Sequence, residues 1–196
     1  MNIKTVALTR DEFELFIKTT AKGFTTEDGT EVRPNTRIAT ALMVQGNVGM
    51  RIGDILDLRL DSFIKDGNRY RLDVYEEKTD KKREYTVPTE LYVYLMEYAN
   101  KNAIKHTAKL FDIRSRVVQK HIKMVSEYLG LERISTHSFR KFYATEIYNN
   151  NGCNIELVRQ LLQHCNTSIT QRYIGVSVKQ VEDAINGHVC IVDMAD

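Results

Sequence analysis

The segment FIKDGNRYRLDVYEEKTDKKREYTVP, residues 63–88, decides the fold class of this 196-residue chain. Apolar and aromatic side chains alternate with polar ones over residues 70–74, as in a β-strand with one buried face. Polar turns at residues 66–68 and 79–82 divide the segment into three short strands. The segment therefore predicts a three-stranded antiparallel meander, with Lys78 near the tip of its second hairpin.

On both sides of this meander the apolar residues recur at helical spacing. Near the start of the chain, Thr9 and Glu12 have the spacing of a capping box, in which each side chain binds the other residue's backbone amide. Helices are predicted over residues 10–21, 35–48, 51–60, 89–103, 114–129, 137–151, 154–163, 167–174 and 177–187, with a polar loop over residues 23–34. The expected fold class is α+β, mainly helical, in a single domain with one small antiparallel sheet.

The composition is that of an ordinary soluble globular protein, with 42% hydrophobic and 28% charged residues. No run approaches the roughly 18 apolar residues that a membrane span needs, and the first residues show no secretory signal. Three cysteines are too few for a disulfide framework and are interpreted as ordinary thiols in a reducing compartment. We therefore expect a cytoplasmic protein that does not contact a membrane and binds no metal.

Positive charge is concentrated in one part of the chain, although the formal net charge is only +2. Residues 101–141 contain ten lysines and arginines but three acidic residues. In the helix predicted over residues 114–129, apolar residues form one stripe and three basic residues lie together on another face. Such a helix can present cations to a DNA groove, or it can be an exposed helix with ordinary lysines. The candidate DNA-binding residues are Arg116, Lys120, Lys123 and Lys141.

The polar residues that stand out are two arginines, a lysine, two histidines and a tyrosine in four separate segments. These segments are residues 49–58, 77–88, 137–141 and 161–174. Each has an ordinary explanation by itself: Arg51 and Asp54 can form a surface ion pair. Lys78 can be a solvated turn residue, and His137 can cap a helix. Together, however, these groups can transfer a phosphodiester without a metal ion.

The chemistry follows from the properties of these side chains. The planar fork of an arginine matches the nonbridging oxygens of a phosphate and stays charged at any working pH. A tyrosine phenol, with a reference pKa of about 10, must lose its proton to attack phosphorus, and a histidine can accept that proton. A lysine can protonate the leaving 5′-oxygen. A covalent phosphotyrosine conserves the energy of the ester, so no nucleotide cofactor is expected.

The spaced motifs resemble those of the tyrosine recombinases, the phage integrase family, over about residues 8–181. The motifs are Gly-x-Arg at residues 49–51, Lys-Thr at 78–79, His-x-x-Arg at 137–140, Leu-Leu-x-His at 161–164 and Arg-Tyr at 172–173. The resemblance implies the tyrosine-recombinase catalytic fold. It also implies a metal- and ATP-independent recombinase that cleaves and rejoins DNA through a 3′-phosphotyrosine, as in DNA integration or excision by mobile elements.

The resemblance further implies a role for each of six residues. The phosphate-binding arginines would be Arg51 and Arg140, the general acid Lys78, the histidine that assists the nucleophile His137, the phosphate-contacting histidine His164, and the nucleophile Tyr173. Lys81 and Lys82 lie near the same turn as Lys78 and are alternative general acids.

The sequence departs from the family pattern at three positions next to these residues. Asp54 stands where the family usually has Glu, Lys141 where it often has His, and Gln163 where it has Gly. None of these departures removes a candidate catalytic residue, so an active site is expected.

The resemblance also implies a domain organisation and a set of partners. Residues 1–176 would form the catalytic domain, and residues 177–196 a C-terminal helix and tail that docks on a neighbouring protomer or folds against its own domain. The N-terminal DNA-gripping domain of the family is expected to be absent. The expected partner is double-stranded DNA, with a homotetramer on DNA and a monomer without it.

Two other functions share much of this evidence. A topoisomerase with the same chemistry would nick and swivel a single duplex, and a DNA-binding regulator would have a decayed site. The full set of candidate residues argues against the regulator.

Overall fold

The computed structural model describes residues 5–76, 81–164, 166–171 and 174. The α-helices are α1 (Arg10–Lys22), α2 (Thr36–Val48), α3 (Ile52–Leu56), α4 (Thr89–Lys101), α5 (Ser115–Tyr128), α6 (Thr136–Asn150), α7 (Ile155–Leu161) and α8 (Thr167–Gln171). The strands are β1 (Phe24–Thr25), β2 (Glu31–Val32), β3 (Phe63–Asp66), β4 (Arg69–Glu76) and β5 (Lys81–Val87). The mainly helical α+β fold class is confirmed.

The predicted meander is confirmed as an antiparallel sheet in the order β3-β4-β5. Phe63 pairs with Leu72, and Tyr70 pairs with Val87. Phe63, Leu72 and Val87 are buried, so alternate residues of the strands face the core as the sequence pattern indicates. The last described pair before the connecting turn is Glu76 with Lys81.

Local hydrogen bonds begin the helices at the predicted residues. The Thr9 hydroxyl accepts from the Glu12 amide at 3.2 Å, and the Glu12 carboxylate accepts from the Thr9 amide at 2.7 Å. This confirms the capping box of α1. At the start of α6, the Ser135 hydroxyl accepts from the His137 amide at 3.2 Å.

The structure differs from the sequence prediction at two places. Residues 23–34, predicted as a loop, contain the two-stranded hairpin β1–β2, with Phe24 opposite Val32. The helix predicted over residues 51–60 ends at Leu56. The Leu58 carbonyl accepts from the Leu110 amide at 2.8 Å, so a bond from a distant part of the chain replaces helical bonding there.

The buried side chains form two groups that α6 joins. The large core combines α1, α2, α4, α5 and the meander, and Phe139 and Phe142 of α6 belong to it. The Phe142 ring stacks on Phe13 of α1 with 4.2 Å between centroids. The small cluster consists of Tyr143, Ala144, Val158, Leu162 and Ile174. The helix α6 therefore contributes to both groups, and its Tyr143 and Ala144 pack with the C-terminal described segments.

Some predicted features lie outside the described residues. They are Lys78, Tyr173, the helix at residues 177–187 and the tail after it. Within the described ranges, the helices are all too short or too polar to cross a lipid bilayer.

Candidate active site

Arg51 lies directly before α3, at the end of a chain segment that packs closely on α6. Gly49 ends α2 in the left-handed conformation, with φ of 64°. A Cβ atom at Gly49 would lie 2.2 Å from Cδ1 of Tyr143, so only glycine permits this approach. Tyr143 is three residues after Arg140, and residues at that spacing share a helix face. The contact therefore brings the segment of Arg51 to within one helical turn of Arg140.

Arg140 and His137 occupy the first turns of α6, but their exposure differs. His137 is exposed, whereas Arg140 is only 1% exposed and is among the largest fully buried side chains. The Nη2 atom of Arg140 donates to the Leu162 carbonyl at 2.9 Å. A buried guanidinium needs such charge-assisted bonds because desolvation of the charge is costly. This bond ties α6 to the chain directly before His164.

His164 is 8% exposed and lies just after α7. Its Nδ1 atom and the hydroxyl of Thr170 are 3.0 Å apart in a hydrogen bond, and Thr170 is fully buried in α8. This hydrogen bond fixes the orientation of the imidazole ring, and the second ring nitrogen, Nε2, takes no part in it. The helix α8 begins three residues after His164, at Thr167. After this helix, the Ile174 amide donates to the Thr170 carbonyl at 3.1 Å.

An ion pair on α7 holds the backbone of His164. Arg159 donates from Nη1 to the His164 carbonyl at 2.9 Å, and the His164 amide donates to the Arg159 carbonyl at 3.0 Å. The same guanidinium donates from Nε and Nη2 to the Glu156 carboxylate at 2.8 and 2.6 Å. The hydrogen bond from Arg159 is the main reason that the pKa of Glu156 falls from 4.5 to about 2.

The residue before His164 contacts the meander. Gln163 has a positive φ of 53°, and its side-chain amide donates to the Lys82 carbonyl in β5 at 2.8 Å. Lys82 places its ammonium 3.2 Å from the Asp73 carboxylate on β4. Lys82, one of the two alternative general acids, is thus engaged in an ion pair. Lys78 itself, like Tyr173, lies outside the described residues.

The four cations predicted to bind DNA have two different environments. Arg116, Lys120 and Lys123 are exposed on α5, whereas Val118, Ile122 and Val125 of the same helix are buried. The amphipathic pattern of this helix is confirmed. Lys141 is 8% exposed, and its ammonium donates to the Thr5 carbonyl at 2.5 Å. Lys141 therefore does not lie on the exposed cationic face of α5, because its side chain is directed at the N-terminal segment.

Sequence reasoning assigned no role to Thr170, Glu156 or Arg159, and it read Gln163 only as a departure from a glycine. The glycine position was a usable signal, because glycine is favoured where φ is positive. Thr170 had no such signal, since its partner is a side chain six residues away whose position depends on the turn between α7 and α8.

Comparisons with known proteins give the same family throughout. A model of the phage integrase family matches residues 7–180. A probable integrase/recombinase of Bacillus subtilis, YoeC, is 35% identical over 141 residues, which are 66% of this chain and 72% of that protein. The tyrosine recombinase XerC of Caldanaerobacter subterraneus is 28% identical over 150 residues, 71% of this chain and 41% of that protein.

Solved structures show the same fold. The XerH site-specific recombinase bound to its difH substrate has a TM-score of 0.67 at 21% identity, over 94% of this chain and 56% of that chain. The catalytic domain of bacteriophage HP1 integrase has a TM-score of 0.61 at 16% identity, over 94% of this chain and 95% of that chain. This chain thus spans only part of the length of XerC and XerH, but nearly the whole HP1 catalytic domain. The chain belongs to the phage integrase family and has the catalytic-domain fold of a tyrosine recombinase.

Proposed function

We propose that this chain acts as a site-specific DNA recombinase that cleaves and rejoins strands through a 3′-phosphotyrosine at Tyr173. The observation that carries the proposal is the bond between Arg140 on α6 and the Leu162 carbonyl, two residues before His164. It joins two of the family's motifs, which lie more than twenty residues apart in sequence, at one buried guanidinium. The bond therefore holds the guanidinium of Arg140 close to the segment of His164.

Each proposed group has one task in the cleavage step. The phenolic oxygen of Tyr173 forms a bond to phosphorus while the bond from phosphorus to the 5′-oxygen breaks. His137 accepts the phenolic proton, and Lys78 gives a proton to the departing 5′-oxygen. Arg51, Arg140 and His164 stabilise the negative charge on the nonbridging oxygens.

Rejoining is the same reaction in reverse with a different 5′-hydroxyl. That hydroxyl attacks the phosphotyrosine, its proton returns to the lysine, and the phenol is released with the proton from the histidine. One ester forms for each ester that breaks, so the cycle requires neither metal nor nucleotide.

The burial of Arg140 implies that the site changes when DNA binds. At 1% exposure, the guanidinium can contact a DNA phosphate only after a neighbouring segment moves. Leu162, whose carbonyl accepts from Arg140, belongs to the small cluster. We assign the movement to this cluster, because among the described residues it has few buried side chains, and low-stability segments open most easily.

DNA is the proposed partner, with the exposed cations of α5 as part of its binding surface. Arg116, Lys120 and Lys123 are spaced at three and four residues along one helix, which suits contacts to a phosphate backbone. We propose that residues 177–196 dock on a neighbouring protomer and that the assembly on DNA is a homotetramer. We also propose that the protein acts in the cytoplasm, on DNA of a mobile element.

Covalent capture tests the proposed chemistry. The protein is incubated with a pool of nicked duplexes that carry a randomised segment, and DNA that stays attached under denaturing conditions is sequenced. We expect a defined sequence to be enriched, with attachment lost in Tyr173→Phe. Tyr128→Phe on α5 is the matched control, since Phe can keep the ring stacking of Tyr128 on Phe24. Absence of covalent DNA with the unaltered chain, or full attachment in Tyr173→Phe, would refute the proposal.

The captured sequence then separates recombination from strand swivelling. A supercoiled plasmid with two copies of the sequence should give resolved or inverted products. Relaxed circles alone would identify a topoisomerase.

The salt dependence of binding tests the α5 surface. Lys120→Ala should weaken DNA binding and lower the slope of log K against log salt by about 1. Lys18→Ala is the matched control, because Lys18 is an exposed lysine on α1 with an ion pair to Glu14. Equal slopes for both variants would place the DNA surface elsewhere.

A further inference from the structure

Gln163 has an unusual backbone conformation for its residue type. Its φ is 53°, in the left-handed region, where a side chain with a Cβ atom is disfavoured and glycine is not. A glycine here would avoid this strain, so a glutamine needs a compensating interaction. Its side chain is half-buried rather than extended into solvent.

The compensating interaction is a bond to the meander. The Gln163 amide nitrogen donates to the Lys82 carbonyl at 2.8 Å, across 81 residues of sequence. Lys82 pairs with Tyr75 in the β4–β5 register, one pair from the last described pair before the turn. Its ammonium lies 3.2 Å from the Asp73 carboxylate of β4. The bond from Gln163 therefore holds a residue that is already linked to both strands of this hairpin.

On its other side, Gln163 adjoins a histidine whose backbone and ring are both hydrogen-bonded. The His164 amide donates to the Arg159 carbonyl at 3.0 Å, and its ring is bonded to the buried Thr170. A change in the backbone conformation of residue 163 therefore also alters the position of His164, because one peptide group joins the two residues. The side chain of Gln163 thus links the segment of His164 to the β4–β5 hairpin, and Lys78 lies between these two strands in sequence.

We propose that Gln163 is a positioning residue that aligns the β4–β5 hairpin, and with it Lys78, against the phosphate held by Arg140 and His164. This inference rests on the proposed function and deepens it by adding a residue that acts through Lys78. Lys82 follows Lys78 by four positions in the sequence, so the chain itself connects the residue that Gln163 anchors to the proposed proton donor. The amide contacts no reacting atom in this scheme.

A substrate with a sulfur leaving group distinguishes positioning of the acid from a general structural role. In a duplex with a 5′-bridging phosphorothiolate, the leaving thiolate needs no protonation, because thiols have a pKa of about 8.5. Gln163→Gly removes the amide and also relieves the positive-φ strain, so the variant is expected to fold. We expect cleavage of the ordinary captured duplex to fall about tenfold and cleavage of the sulfur duplex to stay within about twofold.

Two reference variants complete the experiment. Gln160→Ala removes an amide that bonds to Glu156 one turn earlier in α7 and should leave both rates close to those of the unaltered chain. Lys78→Ala should show a larger loss on the ordinary duplex, also restored by sulfur. Unchanged cleavage in Gln163→Gly, or a loss that sulfur does not restore although it restores Lys78→Ala, overturns the inference and leaves the proposed function intact.

Hydrogen–deuterium exchange tests the coupling independently of any DNA reaction. We expect the backbone amides of β5 to exchange several-fold faster in Gln163→Gly than in Gln160→Ala, while those of α2 stay the same. Equal exchange of β5 in the two variants overturns the coupling. If the unaltered chain forms no covalent DNA, or if sulfur does not restore Lys78→Ala, the proposed function or the acid assignment fails, and exchange alone decides the coupling.

Discussion

The large core and the small cluster hold the two halves of the candidate site very differently. The segments of Arg51 and His137 rest on the large core, where aromatic rings of α1 and α6 stack and where the meander buries one face. The segment of His164 rests on the small cluster, in which five described side chains are buried. The stability of each half should follow the apolar surface that it buries. One half is thus a fixed frame and the other a part that can open.

Arg140 is one of the described residues at which the two halves meet. Its helix is anchored in the large core through Phe139 and Phe142, yet its guanidinium donates to Leu162 in the small cluster. A single bond can therefore report whether the small cluster is closed. The buried state of this arginine therefore depends on the small cluster, the weaker of the two halves.

The largest expected effect comes from Arg140→Lys. A lysine keeps the charge but lacks the planar fork, so it cannot hold the Leu162 carbonyl and a phosphate in the same geometry. We expect the rate of covalent attachment to fall by about 100-fold or more, as when one donor to a developing oxyanion is removed.

The matched control for Arg140→Lys is Arg10→Lys, on the exposed side of α1, where Arg10 forms an ion pair with Glu146. It should cleave at nearly the normal rate. A loss below about threefold in Arg140→Lys would mean that the arginine only supports the fold.

Two leucine truncations should affect the two groups of buried residues differently. Leu42 in the large core and Leu162 in the small cluster are both fully buried. Leu42→Ala should lower the global free energy of unfolding by about 2–5 kcal/mol. Leu162→Ala should instead increase hydrogen exchange mainly in α7, with protection in α2 nearly unchanged. If Leu162→Ala lowers protection in α2 as much as Leu42→Ala does, the two groups unfold as one unit and the comparison fails.

A smaller effect is expected from Thr170→Val, which removes the hydroxyl bonded to His164 and keeps the side-chain volume. Loss of one buried hydrogen bond costs about 1–3 kcal/mol, so cleavage should fall about tenfold. Thr170→Ser, which retains the hydroxyl, should recover most of the rate. Equal losses in both variants would show that packing of the methyl group matters instead of the bond.

The smallest expected effect is the pH response of the ion pair between Glu156 and Arg159. The hydrogen bond from Arg159 lowers the pKa of Glu156 from 4.5 to about 2 in the folded chain. The pair therefore contributes fully above pH 4.5, and its contribution is lost as pH falls toward 2. The NMR shift of the Arg159 Nε–H should change with a midpoint near pH 2, and it should not titrate in Glu156→Gln. A midpoint near 4.5 would show that the pair is open in solution.

Local patterns in the sequence predicted most of the elements. The alternation at residues 70–74 and the turn at residues 66–68 predicted β3 and β4, and the Thr9 capping box predicted the start of α1. Such features depend on residues within a few positions of one another, so periodicity is sufficient to detect them. The five spaced motifs likewise predicted that the chain belongs to the phage integrase family.

Contacts between distant residues were not predictable in this way. The end of α3 at Leu56 depends on a bond from Leu110 to Leu58, and the burial of Lys141 depends on Thr5. No residue near Lys141 in the sequence indicates its contact with Thr5, so the sequence grouped it with the lysines of α5 as a DNA-binding candidate.

The sequence alone was sufficient for most of the helices and the three-stranded meander, for the family, and for the set of side chains that can take part in phosphoryl transfer. Those properties follow from residue chemistry and short-range spacing. Only the tertiary structure decided that Arg140 is buried against Leu162, that Thr170 orients His164, and that Gln163 reaches Lys82. Each of these contacts joins groups whose distance depends on how separate helices and strands pack, and packing is a property of the whole chain.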